Sequence, residues 1–156
     1  MWHTQNATRS VNSIIYYISL VKAGLKHVML IDDDEDDREF FLLAMGDIIP
    51  DLVCDTAGNG QIALNKLNTG HQRPDLIFLD LNMPLMNGRQ FLREMNNNKH
   101  LMQIPVVILS TSSDAQTIHE MMAMGAKHFI TKPDLLHGWE LALRGFFDNT
   151  EKYLKT

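Results

Sequence analysis

The sequence predicts an α/β fold in which a five-stranded parallel sheet carries helices on both faces. Three observations support this. Short apolar runs alternate with stretches of helical periodicity five times between residues 28 and 147. Several runs end abruptly in acids or hydroxyls, as buried parallel strands do where they meet a loop. The length, 156 residues, suits one compact domain with a sizeable core.

Each element has its own warrant. Residues 28–31, Val-Met-Leu-Ile, form the first strand and run straight into acids. Phe40, Phe41, Leu43 and Ala44 mark a helix that closes before Pro50. Residues 52–56 read as the second strand, with Ile62, Ala63 and Leu67 as the inner face of the second helix. Residues 76–79 are the third strand, and Phe91, Leu92 and Met95 are the stripe of the third helix. Pro105 opens the fourth strand, 106–109; a helix then runs through Ile118, Met121 and Met122 to Gly125. Residues 128–131 are the fifth strand. The final helix carries Leu136, Trp139, Leu143, Phe146 and Phe147 at helical spacing. The predicted domain is 27–150, with an N-terminal extension of unassigned role at 1–26 and a tail at 151–156. Residues 13–21 of the extension read equally as a strand or as a short docked helix.

Charge narrows the function classes. The formal net charge is −5, and six of the nineteen acids stand consecutively at 32–37. The remainder is nearly balanced, and no Lys/Arg cluster offers a nucleic-acid footprint. The single cysteine, Cys54, excludes an internal disulfide framework and reads as a small core residue; no Cys/His spacing suggests zinc. The apolar stretch from Ile14 to Leu25 is about half the ~20 residues needed to span a bilayer, and Lys22 interrupts it. With no secretory signal, a cytoplasmic setting is expected, with neither nucleic acid nor membrane as a partner.

In an open α/β sheet, function gathers at the carboxyl ends of the strands. Those positions hold Asp32 and Asp33, then Asp80, Ser110, and Lys132 followed by Pro133. No apolar core requires them, and like charges so close are costly unless a cation is shared. Clustered carboxylates suit Mg²⁺. A carboxylate beside it can accept a phosphoryl group, and a hydroxyl and a lysine opposite can hold the phosphoryl oxygens.

Four segments then carry a resemblance: Val28-Met-Leu-Ile-Asp-Asp-Asp; Leu79-Asp-Leu-Asn-Met-Pro84 with Gly88; Pro105-Val-Val-Ile-Leu-Ser-Thr111; and Gly125-Ala-Lys-His-Phe-Ile-Thr-Lys-Pro133. In order and with family spacing, they resemble the response-regulator receiver domain of two-component signalling, in its chemotaxis-regulator-like, single-domain form. The resemblance runs from about Lys26 to about Phe147. It implies a flavodoxin-like sheet of order 2-1-3-4-5 and a regulatory phosphoacceptor rather than an enzyme. It also implies that Asp80 is phosphorylated, that Asp33 ligates Mg²⁺ directly, and that Asp32 acts through a water. Asn82 would lend its backbone carbonyl to the metal, and Lys132 would pair with Asp80 and later with the phosphoryl oxygens. Ser110 takes the place of the switch hydroxyl, Phe129 that of the switch aromatic, and Pro133 that of an often-cis proline. The donor would be the phosphohistidine of a sensor histidine kinase or phosphotransfer protein. The output would be a changed grip on a downstream protein through the fourth helix, fifth strand and fifth helix.

Other readings compete residue by residue. Asp36, Asp37 and Glu39 read as a solvated helix start, and Asp34 is ambiguous. A calcium loop fails, because Asp37 replaces the required Gly and Leu43 the final Glu. An Mg²⁺-dependent haloacid-dehalogenase-like phosphohydrolase with Asp80 as nucleophile needs a second acid two residues on, where Asn82 stands. A receiver-like module that signals without phosphorylation is the third reading. Thr111 is a candidate for controlling access to the rim, and no histidine is assigned a ligand role. The surplus apolar groups of the last helix, Trp139, Phe146, Phe147, Tyr153 and Leu154, fit either a homodimer face or a seat for the N-terminal extension.

Overall fold

The computed structural model describes residues 24–70 and 72–149. Five strands, β1 His27–Ile31, β2 Val53–Ala57, β3 Leu76–Asp80, β4 Val106–Ser110 and β5 His128–Thr131, alternate with five helices. The helices are α1 Glu35–Ile48, α2 Gly60–Thr69, α3 Gly88–Asn97, α4 Ala115–Ala123 and α5 Leu136–Asp148. The sheet is parallel throughout, in the order β2-β1-β3-β4-β5. The expectations for residues 1–23 and for the tail from 150 lie outside the described residues.

Alternation along the strands builds two cores. One face takes Val28, Leu30, Leu76, Phe78, Val107, Leu109 and Ile130 against α1 and α5. The other takes Met29, Ile31, Ile77, Leu79, Val106 and Ile108 against α2, α3 and α4. At the centre of the first core, Phe78 on β3 meets Phe41 of α1 at 5.0 Å and Phe146 of α5 at 5.7 Å, both edge-on. Trp139 closes on Phe41 at 6.4 Å, again edge-on, the geometry that sets ring edges against ring faces.

Short polar side chains fix where four of the helices begin. Asp34, Asn59, Asn87 and Asp114 each accept a hydrogen bond from the backbone N–H three residues on, and Asn87 with Gln90 forms a reciprocal capping box. The ambiguous Asp34 is therefore the cap of α1, and Glu35, Asp36 and Asp37 fill that helix's first turn.

Several helix faces are rotated from the sequence reading. The inner stripe of α1 is Phe41, Ala44, Met45 and Ile48, the i, i+3, i+4, i+7 set, which leaves Leu43 half exposed. Ile62, Met122 and Leu136 also face outward, because Ala63 with Leu67, Met121, and Trp139 with Leu143 hold the inward positions. Trp139, Phe146 and Phe147 are all buried in the chain's own core; Tyr153 and Leu154 lie outside the described residues. Cys54 is half buried on the edge strand β2, where burial and then the charge of Asp55 push its thiol up to about 11, far from reactive. The peptide bond before Pro133, the position of the often-cis proline, is trans.

The aromatic cluster ties β3 to α1 and α5, so truncating Phe78 removes its edge contacts with Phe41, Phe146 and Phe147 at once. Phe78→Ala is expected to lower the unfolding free energy by about 3–5 kcal/mol, read as an earlier midpoint in urea denaturation.

Candidate functional site

The carboxyl ends of β1, β3, β4 and β5 bring the predicted residues to one rim. Asp80 and Ser110 are the last residues of their strands, the strand-end positions expected of them. Asp32 follows β1 directly, tied by its N–H to the carbonyl of Ala57 on β2 at 3.0 Å. Lys132 follows β5 and donates its backbone N–H to the Ser110 carbonyl at 2.8 Å. Asp32, Asp80, Ser110 and Lys132 are all buried, while Asp33 opens to solvent.

Lys132 is the hub. Its ammonium lies 2.6 Å from Asp32 Oδ2, 2.9 Å from Asp37 Oδ2 and 3.4 Å from Asp80 Oδ1. Asp32 is anchored further: its Oδ1 accepts from the Asp34 N–H at 3.0 Å, and Arg38 donates to its backbone carbonyl at 2.8 Å. Three acids around one ammonium leave the pocket short of positive charge. Burial, and then the charge of Asp32, push Asp80 up to about 7 against the pull of Lys132. Asp32 is raised too, again by burial. Burial works against the charge on Lys132, but hydrogen bonds to Asp32 and Asp37 outweigh it and hold the lysine above its ordinary value.

The donor set fits Mg²⁺. One carboxylate oxygen from each of Asp32, Asp33 and Asp80 lies within 4.8 Å of the others. That span is close to the ~4.2 Å between opposite oxygens around an ion with bonds of about 2.1 Å. The ligands are all oxygens and Asp33 is open to water, matching an ion that keeps part of its hydration shell.

The remaining positions fall around this pocket. Asn82 lies in the turn after β3 and points its N–H at Asp80 Oδ1 from 3.5 Å; its side chain is exposed. Gly88 sits where a Cβ would come within 2.5 Å of the Asp80 carbonyl, so only glycine lets α3 start so close to the rim. Ser110 Oγ accepts from the Ser112 N–H at 3.2 Å. Phe129 is half buried on β5 and packs with the α2–α3–α4 side of the core, and Thr111 is exposed beside Ser110.

Sequence reasoning missed Asp37 and Arg38. Asp37 was assigned to solvent, yet its carboxylate meets Lys132 at 2.9 Å. A signal was available. Side chains of a helix lean back toward its N-terminus, and this helix starts three residues past the rim, so a first-turn acid is aimed at the pocket.

Comparisons with known proteins agree with this geometry. The family model described as response regulator receiver domain matches residues 28–137. A protein-glutamate methylesterase/protein-glutamine glutaminase of Treponema denticola is 42% identical over 109 residues, covering 68% of this chain and 28% of that protein. A probable C4-dicarboxylate response regulator of Bacillus subtilis, DctR, is 32% identical over 129 residues, covering 80% of this chain and 54% of the relative. The chain thus spans about half or less of the length of these two relatives. Among solved structures, the phosphorylated cyanobacterial phytochrome response regulator RcpA superposes with a TM-score of 0.73 at 29% identity, covering 84% of this chain and 95% of the other. The Mn²⁺-bound form of the response regulator Rcp1 gives 0.72 at 25%, covering 84% and 96%. A receiver fold, a strand order and a match over two thirds of the sequence coincide, and the chain belongs to the response-regulator receiver family.

Proposed function

We propose that this receiver domain is a phosphorylation-controlled switch in which Asp80 takes a phosphoryl group from the phosphohistidine of a sensor histidine kinase or phosphotransfer protein. The observation that carries the reading is the meeting of Asp32, Asp33 and Asp80 with Lys132 on one rim. Two of the structural relatives support the reading, phosphorylated RcpA and the Mn²⁺-bound form of Rcp1.

In the proposed transfer an Asp80 carboxylate oxygen attacks phosphorus while the P–N bond to the donor imidazole breaks. The bonding pair leaves on that nitrogen, which takes up a proton, and Asp80 becomes an acyl phosphate. Asp33, Asp80 and the Asn82 carbonyl are assigned as metal ligands, with Asp32 acting through a water. Bound there, Mg²⁺ supplies the positive charge that the three acids lack and that an anionic donor requires. Lys132, held beside Asp80, donates to the phosphoryl oxygens as charge builds on them.

A chain of hydrogen bonds leads from the rim to α4. Ser112 donates its N–H to Ser110 Oγ and its hydroxyl to Asp114 Oδ2 at 2.7 Å, and Asp114 caps α4 by accepting from the Thr117 N–H at 2.9 Å. Asp114 is lowered to about 2, first by that backbone bond and then by Ser112. If Ser110 turns to donate to a phosphoryl oxygen, Ser112 loses its acceptor and the α4 cap moves with it. Phe129, next to this link on β5, is assigned as the aromatic that follows. Met122, Leu136 and Leu141 present apolar groups to solvent from α4 and α5, and the α4–β5–α5 face is the proposed seat of a downstream protein or a second copy.

The phosphohydrolase reading is weakened by the site itself: Asn82 cannot move protons, and no second free acid stands two residues after Asp80. Among the described residues no helix is long and apolar enough to cross a membrane.

Acetyl phosphate with Mg²⁺ should add one phosphoryl group by intact mass; Asp80→Asn should add none, and an undiminished adduct on that variant would overturn the assignment. Stability provides a second test. The native pKa of Asp80 lies above its unfolded value, so between about pH 4 and 7 the native state holds the extra proton and stability falls as pH rises. In EDTA, the wild-type chain is expected to lose on the order of 2–4 kcal/mol of unfolding free energy from pH 5 to 8 relative to Asp80→Asn. Adding Mg²⁺ should raise the thermal midpoint more at pH 8 than at pH 5, because only the ionised pocket binds it.

A further inference from the structure

We infer that Asp37 is a positioning residue that restrains Lys132, and that phosphoryl transfer to Asp80 proceeds only as fast as the lysine is released from it. The inference rests on the phosphoacceptor role proposed for Asp80.

Three carboxylates crowd the Lys132 ammonium as ion pairs, and the aligned hydrogen bond goes to Asp37. They do not share it equally. Asp37 makes the well-aligned side-chain hydrogen bond at 2.9 Å, Asp32 approaches to 2.6 Å, and Asp80 stands furthest at 3.4 Å. The lysine is therefore bound toward α1, away from the oxygen where new phosphoryl charge would appear. For Lys132 to move toward a phosphoryl oxygen on Asp80, one of its two nearer partners must let it go. Asp32 is fully buried and fixed by the Asp34 N–H and by Arg38 on its own carbonyl. Asp37 has only partial burial, with 22% of its side chain exposed, and can turn its carboxylate to water at little cost. It is thus the partner that gives way.

Asp37 also adds a negative charge at the entrance used by an anionic donor, so a control must separate general charge from the specific contact. Asp36 provides it: it is the adjacent acid in the first turn of α1 and is exposed. Removing either residue changes the net charge equally, but only Asp37 holds the lysine.

The test uses acetyl phosphate and Mg²⁺ with the full chain. Asp80 attacks phosphorus, the P–O bond to the acetyl group breaks, and acetate leaves with the bonding pair. Asp37→Ala is expected to take up phosphoryl roughly three- to tenfold faster than wild type, the weight of one partly exposed charged hydrogen bond. It should bind beryllofluoride, a stable phosphoryl mimic, more tightly by a similar factor. Asp37→Glu should return both values toward wild type, and Asp36→Ala should change uptake less than Asp37→Ala. A thermal melt of each variant confirms that it is folded, and Asp37→Asn serves as the second variant if Asp37→Ala is not. Uptake by a folded variant equal to or slower than wild type, or equal acceleration by Asp36→Ala, overturns the restraint. No adduct on wild type overturns the phosphoacceptor reading itself, a separate outcome.

Discussion

The interaction on which the rest depends is an unequal charge balance: one ammonium among three buried or half-buried carboxylates, with a fourth at the opening. Lys132 is needed to make the rim tolerable, and it is not enough to make it neutral. Burial first, and the residual negative charge after it, raise Asp80 and Asp32, and that charge suits the pocket to a divalent cation. Binding and reactivity then follow from one imbalance rather than from separately built devices.

Holding that imbalance in place is the task of the fold. Like charges this close would push one another apart if their backbones were free, and here Asp32, Asp80 and Lys132 sit at or directly after the ends of strands in a continuous parallel ladder. The central strands β1, β3 and β4 are buried along their whole length, so their ends have little freedom to relax apart. Below them the Phe41, Phe78, Phe146 and Trp139 rings lock α1 and α5 to β3. Gly88 lets α3 begin against the Asp80 carbonyl, closing the floor of the site from the other side. The soft part is the loop from Ser110 to Asp114, linked by side-chain hydrogen bonds that can exchange partners.

The sheet and most of the rim could be read from the sequence because strand ends are marked by chemistry. An apolar run that stops at Asp32, Asp80, Ser110 or Lys132 announces both an element and a site. Helix rotation was less readable. Leu43 and Ile62 are as hydrophobic as their buried neighbours, and only the packing of α1 and α2 on the sheet decides which of them turns inward. Asp37 was misread for a related reason. Six consecutive acids look alike in one dimension, and the winding of α1 separates a cap at Asp34, an exposed face at Asp36 and a partner for Lys132 at Asp37. Trp139, Phe146 and Phe147 read as surplus apolar groups because helical spacing cannot count how many aromatics one core will absorb.

The Lys132–Asp37 contact joins residues 95 positions apart, from the first helix to the end of the last strand. Such a contact closes a long loop, and it needs β1, α1 and β5 brought together before it can form. The pocket therefore does not exist in a nascent or half-folded molecule, in which Asp80 would stand without its lysine. The same span means that fraying at β5, an edge strand, takes Lys132 away from the rim even where the other four strands stay paired. In this protein the site reports on the completeness of its own folding.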